Sequence, residues 1–80
     1  MTSASRIKDQ IVAALSHPEA EDGLYFNNLI VVHEEEERPI VQGEEAEIRR
    51  VLSQLVKERV VVTSGSGDGE IFRLKVATVN

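Results

Sequence analysis

The sequence predicts a small α+β domain in which three helices precede a C-terminal β-hairpin. Three observations carry that prediction. Apolar residues recur at helical spacing before Val60; beyond it, a β-branched run, a Gly-rich stretch and an alternating segment follow one another. Eighty residues make one domain, near the size at which a hydrophobic core just holds a fold unaided. Hydrophobic residues are 41% of the chain and charged ones 29%, a globular balance rather than a disordered one.

Ser3 or Ser5 is the expected cap of the first helix, its hydroxyl accepting from an otherwise unpaired backbone N–H. Ile7, Ile11, Ala14 and Leu15 form the apolar stripe, widened by Val12. Pro18 stops the helix, because the residue before a proline avoids helical angles. His17 then sits at the helix end, where a positive imidazole suits the dipole. Asp22-Gly23 is a turn signal, and Leu24-Tyr25-Phe26 reads as a short strand. Asn27 is the expected cap of a second helix running through Leu29, Ile30, Val32 and His33 into Glu34–Glu37. Residues 29–32 fit a buried strand equally well, and Arg38-Pro39 ends the element in either case.

Gly43 opens the third helix, with Glu44, Glu45 and Glu47 in its first turns, where the dipole favours negative charge. Ile48, Val51, Leu52, Leu55 and Val56 form one face. Ala46, Arg50, Ser53 and Lys57 lie opposite, with Gln54 beside them. Residues 60–63 are a β-branched run and residues 64–69 a flexible connector. From Glu70 the chain alternates, with Phe72, Leu74 and Val76 on one face and Arg73 and Lys75 on the other. Residues 1–80 form a single domain, with loose tails expected at 1–4 and 77–80.

In this order of elements the chain resembles a winged helix-turn-helix domain, roughly from Ser5 to Val76. The most telling stretch is Glu47-Ile48-Arg49-Arg50-Val51-Leu52-Ser53-Gln54-Leu55-Val56-Lys57-Glu58-Arg59-Val60-Val61. The resemblance implies that this stretch is a recognition helix running straight into the first wing strand. It further implies a wing tip at residues 64–69 and a return strand at Glu70-Ile71-Phe72-Arg73-Leu74. Two departures stand out. Arg59 occupies the place between helix and wing where many members have glycine, and the segment from His33 to Gly43 is longer and more acidic than a compact helix-turn-helix turn.

The chemistry-bearing residues argue against an enzyme. There is no cysteine, which excludes disulfides, thiolate metal sites and a thiol nucleophile. Serines are scattered, histidines number two, and no G-x-S-x-G arrangement occurs. The loop at residues 64–69 lacks the lysine and the following helix that a phosphate-cradling loop needs, so it reads as a hairpin tip. Adjacent helical glutamates diverge by ~100° and do not converge on one ion. His33 and Glu37, four apart, supply only two ligands, so His33 reads as a surface or partly buried histidine. No catalytic residue, metal, cofactor or small-molecule substrate is expected. The purely apolar stretches, such as residues 29–32, fall far short of the roughly 20 residues that span a bilayer. Asp9 and Gln10 interrupt any signal-peptide core, so a cytoplasmic chain without membrane contact is expected.

What remains is binding, and charge is its guide. The chain carries a net −5. Residues 34–47 set one arginine against seven glutamates, whereas residues 48–80 set six cations against three acids. A protein partner, or a second copy of the chain, would use the acidic set Glu34, Glu35, Glu36, Glu37, Glu44, Glu45 and Glu47. Duplex DNA would use Arg49, Arg50, Ser53, Gln54 and Lys57 on the third helix, with Arg73 and Lys75 extending the footprint to the wing. The glutamates at the start of the third helix would repel phosphates there. The sequence therefore ranks protein interaction, as an adaptor or regulatory module, ahead of a DNA-binding regulator. Tyr25, Phe26 and Phe72, the three aromatics, are expected to fill the core.

Overall fold

A computed structural model describes residues 3–75. Helix α1 (Ser3–Ser16) buries Ile7, Ile11, Ala14 and Leu15, the stripe expected from spacing. It begins at Ser3, so both candidate capping serines lie in its first turn rather than before it. A single 3₁₀ turn (Pro18–Ala20) follows. His17 caps it by accepting the Glu19 N–H on Nδ1 at 3.1 Å. The imidazole Nδ1 thus closes the start of the 3₁₀ turn rather than the end of α1.

Strand β1 (Leu24–Tyr25) leads directly into helix α2 (Phe26–Ile30). Asn28 Oδ1 accepts the Tyr25 N–H at 3.1 Å and closes the helix start. Phe26, expected in the strand, is therefore the first helical residue, and Asn27, the expected cap, lies inside the helix. The expected continuation through Glu34–Glu37 does not form, because Val31 is extended at φ −134°. Two physical causes act together. A run of four carboxylates at a helix C-terminus would face the negative end of its dipole. The Arg38 guanidinium also takes up the carbonyls of Asn28 and Val31, which a longer helix would have bonded internally.

The connection 31–44 is irregular but tied down. Val41, 2% exposed, donates its N–H to Leu29 O at 2.7 Å. Gln42 N–H donates to Gln10 Oε1, and Arg6 donates to Gln42 O, so α1 holds the end of the loop. Helix α3 (Glu45–Lys57), with Glu44 at its N-cap position but making no side-chain capping bond, buries Ile48, Val51, Leu52 and Leu55, with Val56 partly covered. It closes with two hydrogen bonds, Val60 N–H to Leu55 O (2.9 Å) and Arg59 N–H to Val56 O (3.1 Å). This closure needs a left-handed residue after the helix. Arg59 supplies it at φ 63°, where the winged-helix resemblance would place a glycine.

Strands β2 (Val61–Ser64) and β3 (Ile71–Leu74) form the expected hairpin. β1 joins it on the far side of β3, giving an antiparallel sheet of order β1-β3-β2. Leu24 pairs with Phe72, and Val61 with Leu74. In the connecting loop Gly65 has φ 81°, and a Cβ there would lie 2.6 Å from Gly69 O, so only glycine fits.

Ile7, Ile11, Leu29, Ile48, Leu55 and Val61 are the largest fully buried side chains, gathered where α1, α2, α3 and the sheet meet. Phe72 is buried and Phe26 partly so. Tyr25 is 51% exposed, which corrects its expected place in the core: it closes β1 on the side away from Leu24. Of the expected N-terminal tail 1–4, residues 3 and 4 are instead the start of α1. Residues 1–2, the expected tail 77–80 and the placement of Val76 on the inner face of the last strand lie outside the described residues. Among the described residues, no helix is long and apolar enough to cross a membrane.

Candidate functional site

Helix α3 packs its apolar stripe inward and leaves Glu45, Arg49, Arg50, Ser53, Gln54 and Lys57 exposed. One flank of that face meets the hairpin. A hollow of about 310 Å³ runs between them, lined by Arg49, Ser53 and Lys57 on α3 and by Thr63, Glu70 and Phe72 on the hairpin. A second, of about 410 Å³, continues past Arg49, Glu70 and Phe72 toward Tyr25, Phe26 and Asp68. The two share those first three residues and form one groove. On the other flank of α3, a shallower hollow of about 480 Å³ lies against α1, between Lys8, Arg50, Gln54 and Glu58.

Arg49 is the centre of the groove. Its guanidinium carbon lies 3.9 Å from the centroid of the Phe26 ring, a cation–π contact. Its Nε donates to Glu45 Oε2 at 3.1 Å, one helical turn back. The cation is thus held down on an aromatic face and matched by a carboxylate of its own helix. Arg50 is paired with Glu47 at 3.5 Å, and Gln54 donates to Glu58 at 3.0 Å. Thr63 Oγ1 donates to Glu70 Oε2 at 2.6 Å across the hairpin.

Arg73 and Lys75 stand elsewhere. Phe72 and Leu74 turn toward the helices, so Arg73 and Lys75 occupy the opposite face of the sheet. The Arg73 stem lies against Gly23, where an added Cβ would be 3.0 Å from its Cγ. The structure therefore brings Arg49, Ser53 and Lys57 together along the hairpin but does not join Arg73 and Lys75 to them.

The acidic set is also divided. Glu36 accepts from the Arg38 guanidinium and from the His33 N–H. Glu19 accepts the backbone N–H groups of Glu37 and Arg38 and one guanidinium nitrogen. The Arg38 side chain, 1% exposed, donates further to Asn28 O and Val31 O. These bonds hold the Glu19 carboxyl below the usual range, chiefly through the Glu37 N–H, against some desolvation. The Arg38 side-chain hydrogen bond does the same for Glu36, and Glu36 in turn raises Arg38. Glu36 is thus a structural anchor, while Glu34, Glu35 and the Glu37 side chain face solvent. Four-apart helical spacing of His33 and Glu37 does not exist, since the segment is not a helix. Among the described residues, no three His, Asp or Glu come together as a metal set.

Groove residues that the sequence does not single out as binding candidates include Tyr25, Phe26, Thr63, Asp68, Glu70 and Phe72. An aromatic pair one residue beyond the Asp22-Gly23 turn is the available signal, but exposure is a tertiary property. In the sequence Arg38 reads, with Pro39, only as the end of the second element, helix or strand. Compared with models of protein families, with curated proteins and with solved structures, the chain matches none.

Proposed function

We propose that this chain is a winged-helix binding module without enzymatic activity, and that it works by docking on another protein. The order helix, strand, helix, helix, hairpin and the sheet order β1-β3-β2 support the winged-helix reading. The observation that carries the choice of partner is Arg49. A reader of duplex DNA needs free cations where α3 meets the hairpin. Here the central cation is stacked on Phe26 and matched by Glu45, and two further carboxylates, Asp68 and Glu70, outnumber Lys57, the other cation lining the groove. Half-exposed Tyr25 beside them is the kind of amphipathic aromatic that anchors protein interfaces.

Duplex DNA is the second reading, favoured by Arg50, Ser53 and Lys57 on the outer stripe of α3. One pair of measurements decides between them. Titration with a labelled duplex near physiological salt should give only nonspecific affinity, ~10⁻⁴–10⁻⁶ M, falling steeply as salt rises. Cross-linking in extracts of the native host should capture a protein in stoichiometric complex. A nanomolar, sequence-selective duplex complex that Arg50→Glu abolishes would replace the protein reading with the DNA one.

A further inference from the structure

The groove between α3, α2 and the hairpin has a polarity that identifies its occupant. Its floor is apolar, built from Phe26, Ile30, Leu52, Val56 and Phe72. Tyr25 stands on its edge, 51% exposed. At the hairpin end the charged groups are Glu45, Arg49, Asp68 and Glu70. Glu45 and Arg49 satisfy one another, and Lys57 lines only the stretch of the groove toward Thr63, so at this end Asp68 and Glu70 are left in excess. Neither forms an ion pair among the described residues, and the Thr63 hydroxyl engages only one oxygen of Glu70.

We infer that this groove receives a segment of a partner protein carrying a lysine or arginine next to an apolar side chain. The cation sits at Asp68 and Glu70, and the apolar side chain packs on Tyr25, Phe26 and Ile30. This rests on the protein-docking reading and gives the partner a chemistry. Charge complementarity selects it: a nucleic-acid backbone or an acidic peptide would bring anions to two unpaired carboxylates. A second copy of this chain, at net −5, would approach against its own charge. The apolar floor supplies what a loose counterion does not need, a place for side chains to leave water.

The test uses two short fluorescein-labelled peptides, one alternating lysine with leucine and one alternating glutamate with leucine, near physiological salt. Anisotropy gives affinity, and amide chemical-shift mapping on the ¹⁵N-labelled chain gives location. The lysine peptide should bind and shift Tyr25, Phe26, Arg49 and residues 68–70. Asp68→Lys, at the exposed loop tip, should weaken it at least about tenfold, and Tyr25→Ala should do likewise. Asp9→Lys, the same charge change at an exposed α1 position away from the groove, should leave affinity within about twofold. Preference for the glutamate peptide would overturn the inference. Equal losses in Asp68→Lys and Asp9→Lys would also overturn it, by exposing unspecific attraction. Shifts confined to 33–37 would overturn the groove assignment while protein docking stands. Nanomolar duplex DNA competing for the same amides would overturn both readings.

Discussion

The Arg38 guanidinium closes on the carbonyl of Asn28, with Nε and Nη2 donating to the same oxygen at 3.2 and 3.0 Å. That contact sits where α2 stops. A buried cation serves as the cap of a five-residue helix and as the anchor of a long acidic connection. Helix ends leave carbonyls without intrahelical partners, and a planar fork of donors is well matched to several of them at once.

Arg38→Met keeps the apolar volume but leaves Asn28 O and Val31 O without the guanidinium, and Glu19 and Glu36 with only their backbone N–H donors. It should destabilise the domain by about 2–4 kcal/mol in urea denaturation. Arg38→Lys should recover only part, since one ammonium cannot span the helix end and both glutamates. A loss below about half a kcal/mol for Arg38→Met would show that the loop holds without this anchor.

Glu19 and Glu36 have lowered values in the fold, from the Glu37 backbone N–H and the Arg38 side chain respectively. Their contribution is therefore fully present above the ordinary glutamate value, about 4.3, and is lost as pH falls below it through the lowered values. Thermal melts followed by circular dichroism should show the midpoint falling across that window. Glu36→Gln should flatten the fall, because one of the two linked protons is no longer taken up. An unchanged slope would remove Glu36 from the linkage.

Arg59 holds φ 63° to close α3, a conformation that costs a side-chain-bearing residue roughly 1 kcal/mol relative to glycine. Arg59→Gly should thus stabilise the domain by about 0.5–1 kcal/mol, after allowance for the more flexible unfolded chain. Gly65→Ala should act oppositely, because its Cβ would meet Gly69 O at 2.6 Å and force the hairpin loop open. Chemical denaturation of both variants checks the pair. Destabilisation by Arg59→Gly would point to a contact of the arginine side chain that outweighs backbone strain.

Leu55 is 1% exposed among the residues that α3 packs inward, so Leu55→Ala should cost about 2–5 kcal/mol through lost burial and a cavity. Neighbouring Gln54 is exposed and bonded only along its own helix to Glu58, so Gln54→Ala should stay within about half a kcal/mol. Urea denaturation of the two variants should separate the faces of α3, and similar losses would contradict that assignment.

The first and third helices and the hairpin were legible in the chain because each depends on local periodicity. Ile7, Ile11, Ala14 and Leu15 repeat with the helical turn, as do Ile48, Val51, Leu52 and Leu55, and all eight are buried. Phe72 and Arg73 alternate across a strand, with Phe72 inside and Arg73 outside. The second helix was misjudged in length for a reason that is not local. The carboxylate run works against a helix end, but the path of residues 31–37 is fixed by Glu19, 18 positions before Glu37, and by Arg38 folding back onto the carbonyls of Asn28 and Val31.

The candidate site divides in the same way. Sequence by itself determined that α3 carries a polar outer face, that the hairpin tip is glycine-rich and acidic, and that no cysteine chemistry is available. Tertiary structure alone decided that Arg49 lies on Phe26 and that Tyr25 stands in solvent beside the hairpin. It also decided that Glu36 turns inward and that Arg73 and Lys75 leave the face of α3. Periodicity tells each side chain which way to point from its own element. Which elements face one another, and so which charges are matched or left over, is set by how the core packs.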